Sequence, residues 1–174
     1  KEAISRLHHV GVKKTVMLTG DRKAIGEYTA KLLDLDEVHT DLLPADKVSY
    51  VNDYCNKKTK GRMVCFVGDG INDAPVLSAS DCGIAMGFGS EAAIEASDAV
   101  LASGTLKQLP KAIKIARSVI NTVKGNIIFA LSIKALVIIL AAFGLAQIWM
   151  SVIADTGVSV VCVLIAARLL KKKY

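Results

Sequence analysis

The chain has 174 residues, 52% hydrophobic and 5% aromatic, and 22 Lys and Arg against 16 Asp and Glu give a net charge of +6. Aromatic side chains this few and scattered exclude a base-stacking surface, and a basic surplus gathered at the borders of an apolar region is not a nucleic-acid footprint. The four cysteines, Cys55, Cys65, Cys82 and Cys162, form no CxxC pair and have no histidine cluster beside them, which argues against a structural zinc site and for a reduced, cytosolic setting of the first three.

Residues 3–9 read as a short amphipathic helix ending near Gly11. Lys14 to Leu18 is an apolar, β-branched run expected as a buried strand, stopped by Thr19-Gly20-Asp21. Lys23 to Leu33 has helical spacing, with Ala24, Tyr28, Leu32 and Leu33 on one face and Asp21 at the expected N-cap. A weak strand at Glu37 to Thr40 and a helix at Lys47 to Asn56 follow, then a strand at Arg62 to Val67 and a short helix at Asp73 to Ser80. Gly83 to Met86, Glu91 to Ala96 and Ala99 to Ala102 continue the alternation as strand, helix and strand. Strands alternating with helices predict an α/β class, a Rossmann-like parallel sheet covered on both faces, with ligands bound outside the carboxyl ends of the strands. GxGxxG is absent, so a dinucleotide is not indicated.

The composition then changes. Leu106 to Lys124 is an amphipathic basic helix, and Asn126 to Ala146 is apolar apart from Asn126, Ser132 and Lys134. That stretch spans about 31 Å as a helix, enough to cross a bilayer, and Ile148 to Leu170 is a second span. The short connection around Gly144 to Gln147 predicts an antiparallel hairpin. Lys111, Lys114, Arg117 and Lys124 precede the apolar part, and Arg168, Lys171, Lys172 and Lys173 follow it, which puts the α/β domain and the C-terminus on the cytoplasmic side. The expected organisation is an α/β domain over 1–109, a basic linker helix over 110–125, membrane helices over 126–147 and 148–170, and a cytoplasmic tail over 171–174. No signal peptide is read at the N-terminus, and the abrupt opening suggests a piece of something larger.

VCFVGDGINDAP, Val64 to Pro75, carries the chemistry. Two carboxylates aimed at one place repel unless one is protonated or a cation lies between them, and Mg²⁺ needs only one or two carboxylates when a phosphate supplies other ligands. Asp69 leaves the strand and Asp73 opens the next helix. Gly68 and Gly70 allow a tight bend and a close phosphate, and Asn72 adds a neutral donor and acceptor. Thr19-Gly20-Asp21 offers a hydroxyl and free backbone N–H groups at a helix start, and Lys47, in LLPADKV, is a point cation at the same sheet edge.

These three motifs, in this order, resemble the haloacid-dehalogenase-type phosphoryl-transfer fold. GDGINDAP is similar to the hinge motif of the P-type cation-transporting ATPases, and TGD to its companion motif. The resemblance implies that Asp69 binds Mg²⁺ with Asp73 in support, that Thr19, Gly20 and Lys47 hold the phosphoryl group, and that Asp21 lies on the nucleotide side. The family's DKTGT nucleophile, its nucleotide-binding domain and its TGE loop are absent. The chain is therefore expected to form no phosphoenzyme alone and to act with the remainder of a pump.

Lys134 and Asp155 sit within the apolar spans, where each charge costs ~3 kcal/mol or more, so a functional role is the default reading. At helical rise they lie ~19 and ~12 Å from the hairpin tip, near enough to pair though not level. Asn126, Lys134 and Asp155-Thr156-Gly157 resemble the last two helices of the zinc, cadmium and lead pumps. That implies Asp155 as ligand of the transported ion, Lys134 as its counter-charge, and Asn126 and Gly157 beside them. Cys162, one heptad after Asp155, falls on the same face and reads as a packing residue rather than a ligand. The expected function is the C-terminal part of an ATP-driven, Mg²⁺-dependent heavy-metal exporter in the plasma (inner) membrane. Alternatives are a membrane-anchored phosphatase of the same fold and a non-catalytic module that complements a partner half-pump.

Overall fold

The computed structural model describes residues 1–145 and 147–172, so Ala146 of the expected hairpin tip and Lys173 of the basic tail lie outside the described residues. The chain divides into two compact units, Lys1–Pro110 and Lys111–Tyr174.

The first unit alternates helix and strand: α1 (Glu2–His9), β1 (Val16–Leu18), α2 (Lys23–Leu33), β2 (Glu37–His39), α3 (Pro44–Lys57), β3 (Cys65–Gly68), a 3₁₀ turn (Ile71–Asp73), α4 (Ala74–Ala79), β4 (Cys82–Met86), α5 (Glu91–Glu95) and β5 (Ala99–Leu101). Every strand pairing is parallel, as the alternation predicts. The single expected sheet is two: β1 pairs with β2, and β3, β4 and β5 form a separate sheet in that order. Helix α3 joins the two halves. Val51 on it is 2% exposed, the Cys55 thiol points at the Ala79 carbonyl at the end of α4 (4.0 Å), and Lys58 just beyond α3 pairs with Asp81 just before β4. The core of the larger sheet is Leu77, Ala85 and Ala93, with Phe66 and Ala96 packed against it.

Several expectations shift. Helix α3 starts three residues before Lys47, because Pro44 sits in its first turn and the Asp46 carboxylate accepts the Leu43 N–H (2.9 Å), closing the N-terminus that the 3.6-residue pattern missed. Strand β3 starts at Cys65, not Arg62. Arg22, not Asp21, is the N-cap of α2, and no side chain caps it. The packed face of α2 is also different. Tyr28 and Leu32 are 70% and 59% exposed, whereas Gly26 and Ala30 are buried. A Cβ on Gly26 would lie 2.3 Å from Thr40 Cγ2, so close approach to the end of β2 admits only a small residue there. Val16, Met17 and Leu18 are half-buried rather than buried.

In the second unit, α6 (Leu109–Ala142) is one unbroken helix through both the basic and the apolar stretches, preceded by a 3₁₀ turn (Leu106–Gln108). It ends in a Schellman arrangement: the Leu145 N–H bonds to the Leu140 carbonyl, the Gly144 N–H to Ala141, and Gly144 takes φ 70, a conformation that favours glycine. The return path is α7 (Ile148–Val152), a π-helical turn (Ile153–Gly157), α8 (Val158–Ala167) and a 3₁₀ turn (Arg168–Lys171). The stretches Leu106–Ala142 and Trp149–Lys171 are long and apolar enough to cross a membrane.

Candidate functional site

The site in the first unit is built at the carboxyl ends of β1 and β3. After β1, the chain turns under its own side chains: Thr19 Oγ1 donates to Asp21 Oδ2 (2.9 Å), and the Asp21 N–H donates to Thr19 Oγ1 (3.1 Å). The Thr19 N–H is spent on the His39 carbonyl, so of the three N–H groups expected to be free in TGD only that of Gly20 lacks a partner among the described residues. The Leu42 N–H donates to the Thr19 carbonyl (3.1 Å) and the Asp41 N–H to that of Asp21 (2.8 Å), which ties this turn to the loop that opens α3. A Cβ on Gly20 would lie 3.1 Å from the Leu42 oxygen.

From that loop α3 delivers Lys47. Its Nζ lies 2.9 Å from Asp73 Oδ1, and the two side chains are only 18% and 14% exposed. Asp73 comes from the 3₁₀ turn after β3, whose Asp73 N–H bonds to the Gly70 carbonyl (3.0 Å). A Cβ on Gly68 would meet Asp73 Cβ at 2.8 Å and Asp73 Oδ2 at 3.1 Å, so the glycine is what lets the aspartate fold back over the strand end. Gly70 faces Asp73 Oδ2 more loosely, at 3.6 Å. Asp69 and Asn72 are exposed, and the Asp69 carboxylate has no ion pair among the described residues. The arrangement thus offers one open carboxylate beside a second that a lysine already neutralises.

Support for this edge comes partly from residues that sequence reasoning missed. The Ser90 N–H donates to the Asp69 carbonyl (3.0 Å), and a Cβ on Gly89 would lie 2.8 Å from that oxygen, so the loop after β4 holds the acidic turn. The paired glycines of Gly87-Phe88-Gly89 were the available signal. Below α3, Tyr54 Oη donates to Glu37 Oε1 (2.9 Å), His39 Nε2 lies 2.7 Å from the same oxygen, and Lys14 pairs with the same carboxylate. Lys14, with smaller help from Tyr54 and His39, holds the Glu37 carboxyl below its usual range, while burial, with Glu37 beside it, pushes Tyr54 up to about 12. Asp36 is held down by hydrogen bonds from the Thr15 Oγ1 and N–H (2.7 and 2.6 Å), and Asp81 by Lys58.

In the second unit Lys134 Nζ lies 2.9 Å from Asp155 Oδ1, across the two helices. Asp155 and Gly157 both belong to the π-helical turn, and the Ser159 hydroxyl donates to the Asp155 carbonyl (2.7 Å). Asn126 is engaged elsewhere: its Nδ2 donates to the Cys162 carbonyl (3.1 Å), and the Cys162 thiol points back at the Asn126 carbonyl (3.8 Å). The π turn adds a few tens of degrees to the helical phase between Asp155 and Cys162. Among the described residues no three His, Cys, Asp or Glu side chains converge as a metal-binding group.

Fold and site define a haloacid-dehalogenase-like α/β unit joined to two helices of membrane-crossing length, and residues 1–81 match the haloacid dehalogenase-like hydrolase family. The similarity is closer to one group of membrane pumps. A "cadmium, zinc and cobalt-transporting ATPase" of Bacillus subtilis is 44% identical over 173 residues, covering 99% of this chain and 25% of the relative. A "zinc-transporting ATPase" of Synechocystis is 44% identical over 98% of this chain and 24% of that protein. The crystal structure of a zinc-transporting PIB-type ATPase in an E2.Pi state superposes with a TM-score of 0.90 at 39% identity, covering 97% of this chain and 27% of that one. The chain is thus a homologue of the heavy-metal-transporting P-type ATPases, and it spans about a quarter of the length of these relatives.

Proposed function

We propose that the chain is the part of an ATP-driven Zn²⁺, Cd²⁺ or Pb²⁺ exporter that supplies the Mg²⁺ and phosphate site and the final two membrane helices. The observation that carries this reading is that similarity to metal-transporting ATPases runs through both units, the α/β unit and the helices alike. The remainder of the pump would supply the nucleophile, the nucleotide-binding and actuator domains and the other membrane helices. The α/β unit and the C-terminus would face the cytoplasm, with the lipid of the plasma (inner) membrane around the helices.

An exposed Asp69 next to a neutralised Asp73 suits Mg²⁺, which binds through one or two carboxylates and keeps water or phosphate in its other positions. When bound there, Mg²⁺ neutralises negative charge on the transferring phosphoryl group. Asp73 holds the Lys47 ammonium in place, and Lys47 adds positive charge to the pocket. The Gly20 N–H provides a hydrogen bond to a phosphoryl oxygen, and the Thr19 hydroxyl would provide a second by turning its proton from Asp21 Oδ2 to the phosphate. Asp21 and Asn72, both exposed, border the nucleotide side.

In the helical unit Asp155 would ligate the transported ion as substrate, and Lys134, already in contact with that carboxylate, would compete with the ion and favour its release. Gly157 and Asn126 would shape that region, Gly157 inside the π turn and Asn126 by joining the two helices through Cys162. In the complete pump, Asp155→Ala should abolish zinc-stimulated ATP hydrolysis. Undiminished stimulation would remove the transport role of this residue.

A further inference from the structure

Cys65 and Cys82 open adjacent strands, and the ladder sets them directly opposite one another, followed by Phe66 against Gly83 and Val67 against Ile84. Residues in register on neighbouring strands project to the same face. That face is the one opposite Phe66, which packs into the core with Leu77, Ala85 and Ala93. Both cysteines are free; Cys65 is exposed as a residue and Cys82 is half-buried. Loss of solvent around the Cys65 sulfur, with Cys82 alongside, pushes its pKa up to about 12.

Geometry separates two uses of such a pair. A disulfide needs Cβ atoms roughly 3.5–4.5 Å apart. Neighbouring strands lie about 4.8 Å apart and hold opposed side chains side by side, a little beyond that Cβ range, so closing an S–S bond draws the two side chains together. A bridging cation does not, because two metal–thiolate bonds of about 2.3 Å laid end to end span roughly 4.6 Å. The donor set is two soft sulfurs without a third His, Cys, Asp or Glu ligand among the described residues. Zinc completes four ligands, whereas soft d¹⁰ ions content with two thiolates suit this pair.

We propose that Cys65 and Cys82 form a two-coordinate dithiol site for a soft cation of the Hg²⁺ and Cu⁺ class. The site stands apart from the pump reading and uses neither Asp69 nor Asp155. Binding is a ligand exchange: both thiols lose their protons, two metal–sulfur bonds form, and nothing is oxidised. A bound ion ties β3 to β4 three residues upstream of Gly68.

The test uses the full 174-residue chain in detergent, with Cys55→Ser and Cys162→Ser, and Hg²⁺ alone as the probe. One ion should bind per chain with release of two protons. Stripping half of it should take about 100-fold more 2-mercaptoethanol than from Cys65→Ser or Cys82→Ser on the same background, because the second thiolate acts at millimolar or higher effective concentration. Two ions per chain, one proton per ion, or equal stripping of pair and single variants overturns the proposal. So does quantitative disulfide formation between the two cysteines by diamide in a folded chain that fails to chelate Hg²⁺. Should a serine variant lose its far-UV circular dichroism, the ion and proton stoichiometry of the cysteine-pair chain decides alone.

Discussion

Each unit holds one lysine–aspartate pair at 2.9 Å, Lys47 with Asp73 in the α/β unit and Lys134 with Asp155 in the helical unit, yet the side chains are 18% and 14% exposed in the first pair and 53% and 66% in the second. The first is enclosed by its own unit: the loop of Asp41 and Leu42, the glycine at 68 and the 3₁₀ turn after β3 all constrain it. The second is laid on the flank of two apolar helices. Equal geometry in unequal surroundings has unequal consequences. The enclosed pair lies outside the membrane-length helices and keeps part of its hydration, whereas a charge on an apolar helix of that length faces lipid or detergent once its partner is removed.

The largest effect should follow from breaking the enclosed pair. Asp73→Ala strands the Lys47 ammonium and should cost about 2–3 kcal/mol in urea unfolding of the α/β unit, below the cost of a fully buried pair because the site is partly open. Adding Lys47→Met should recover most of that loss. An Asp73→Ala loss no greater than that of a surface substitution would break the contrast. Gly68→Ala should cost roughly 1–2 kcal/mol by the same measurement, since the new methyl meets Asp73 Cβ at 2.8 Å and Phe66 Cε1 at 3.0 Å.

Acid sharpens the contrast further. Asp36, Glu37 and Asp81 all lie in the first unit, and each has its folded pKa held below the unfolded value, by Thr15, Lys14 and Lys58 respectively. Stability from such groups is complete above about pH 5, begins to fall near the unfolded values and is lost as the pH drops through the folded ones. The α/β unit should therefore unfold on acidification while Trp149, the sole tryptophan, reports an unchanged helical unit. Thr15→Val removes the hydroxyl donor to Asp36 and should flatten the acid limb of stability, read as a smaller loss between pH 5 and pH 3. Lys134→Ala in detergent leaves the Asp155 carboxylate without its partner on apolar helices and should lower the thermal midpoint of the helical signal; a midpoint equal to that of the parent chain would show that the pair adds nothing.

Much of this contrast is legible in the residues. The alternation of short apolar runs with helical spacing gives the parallel α/β class, and the charges at 134 and 155 stand out against an apolar background. Asp69 and Asp73 could be nominated because two carboxylates beside glycines at a strand end repel unless a cation joins them, whereas Lys47 and the phosphoryl role of Thr19 were drawn in by the resemblance of the three motifs taken together. Less legible was which face of α2 packs, since periodicity favours the large Tyr28 and Leu32 while the close contact with Thr40 selects Gly26 and Ala30. The π turn around Asp155 was invisible for a similar reason: it is one residue's change of hydrogen-bond register in a helix whose composition stays apolar.

By itself, then, the sequence determined the order of strands and helices, the two membrane-length apolar stretches and the identity of the charged residues, because these follow from local periodicity and from the cost of exposing apolar groups or burying charge. Tertiary structure alone decided that Lys47 closes on Asp73, that the Asn126 amide bonds to the Cys162 carbonyl, and that Cys65 faces Cys82 across a ladder. Those are contacts between residues 26, 36 and 17 positions apart, and only register and packing can choose them.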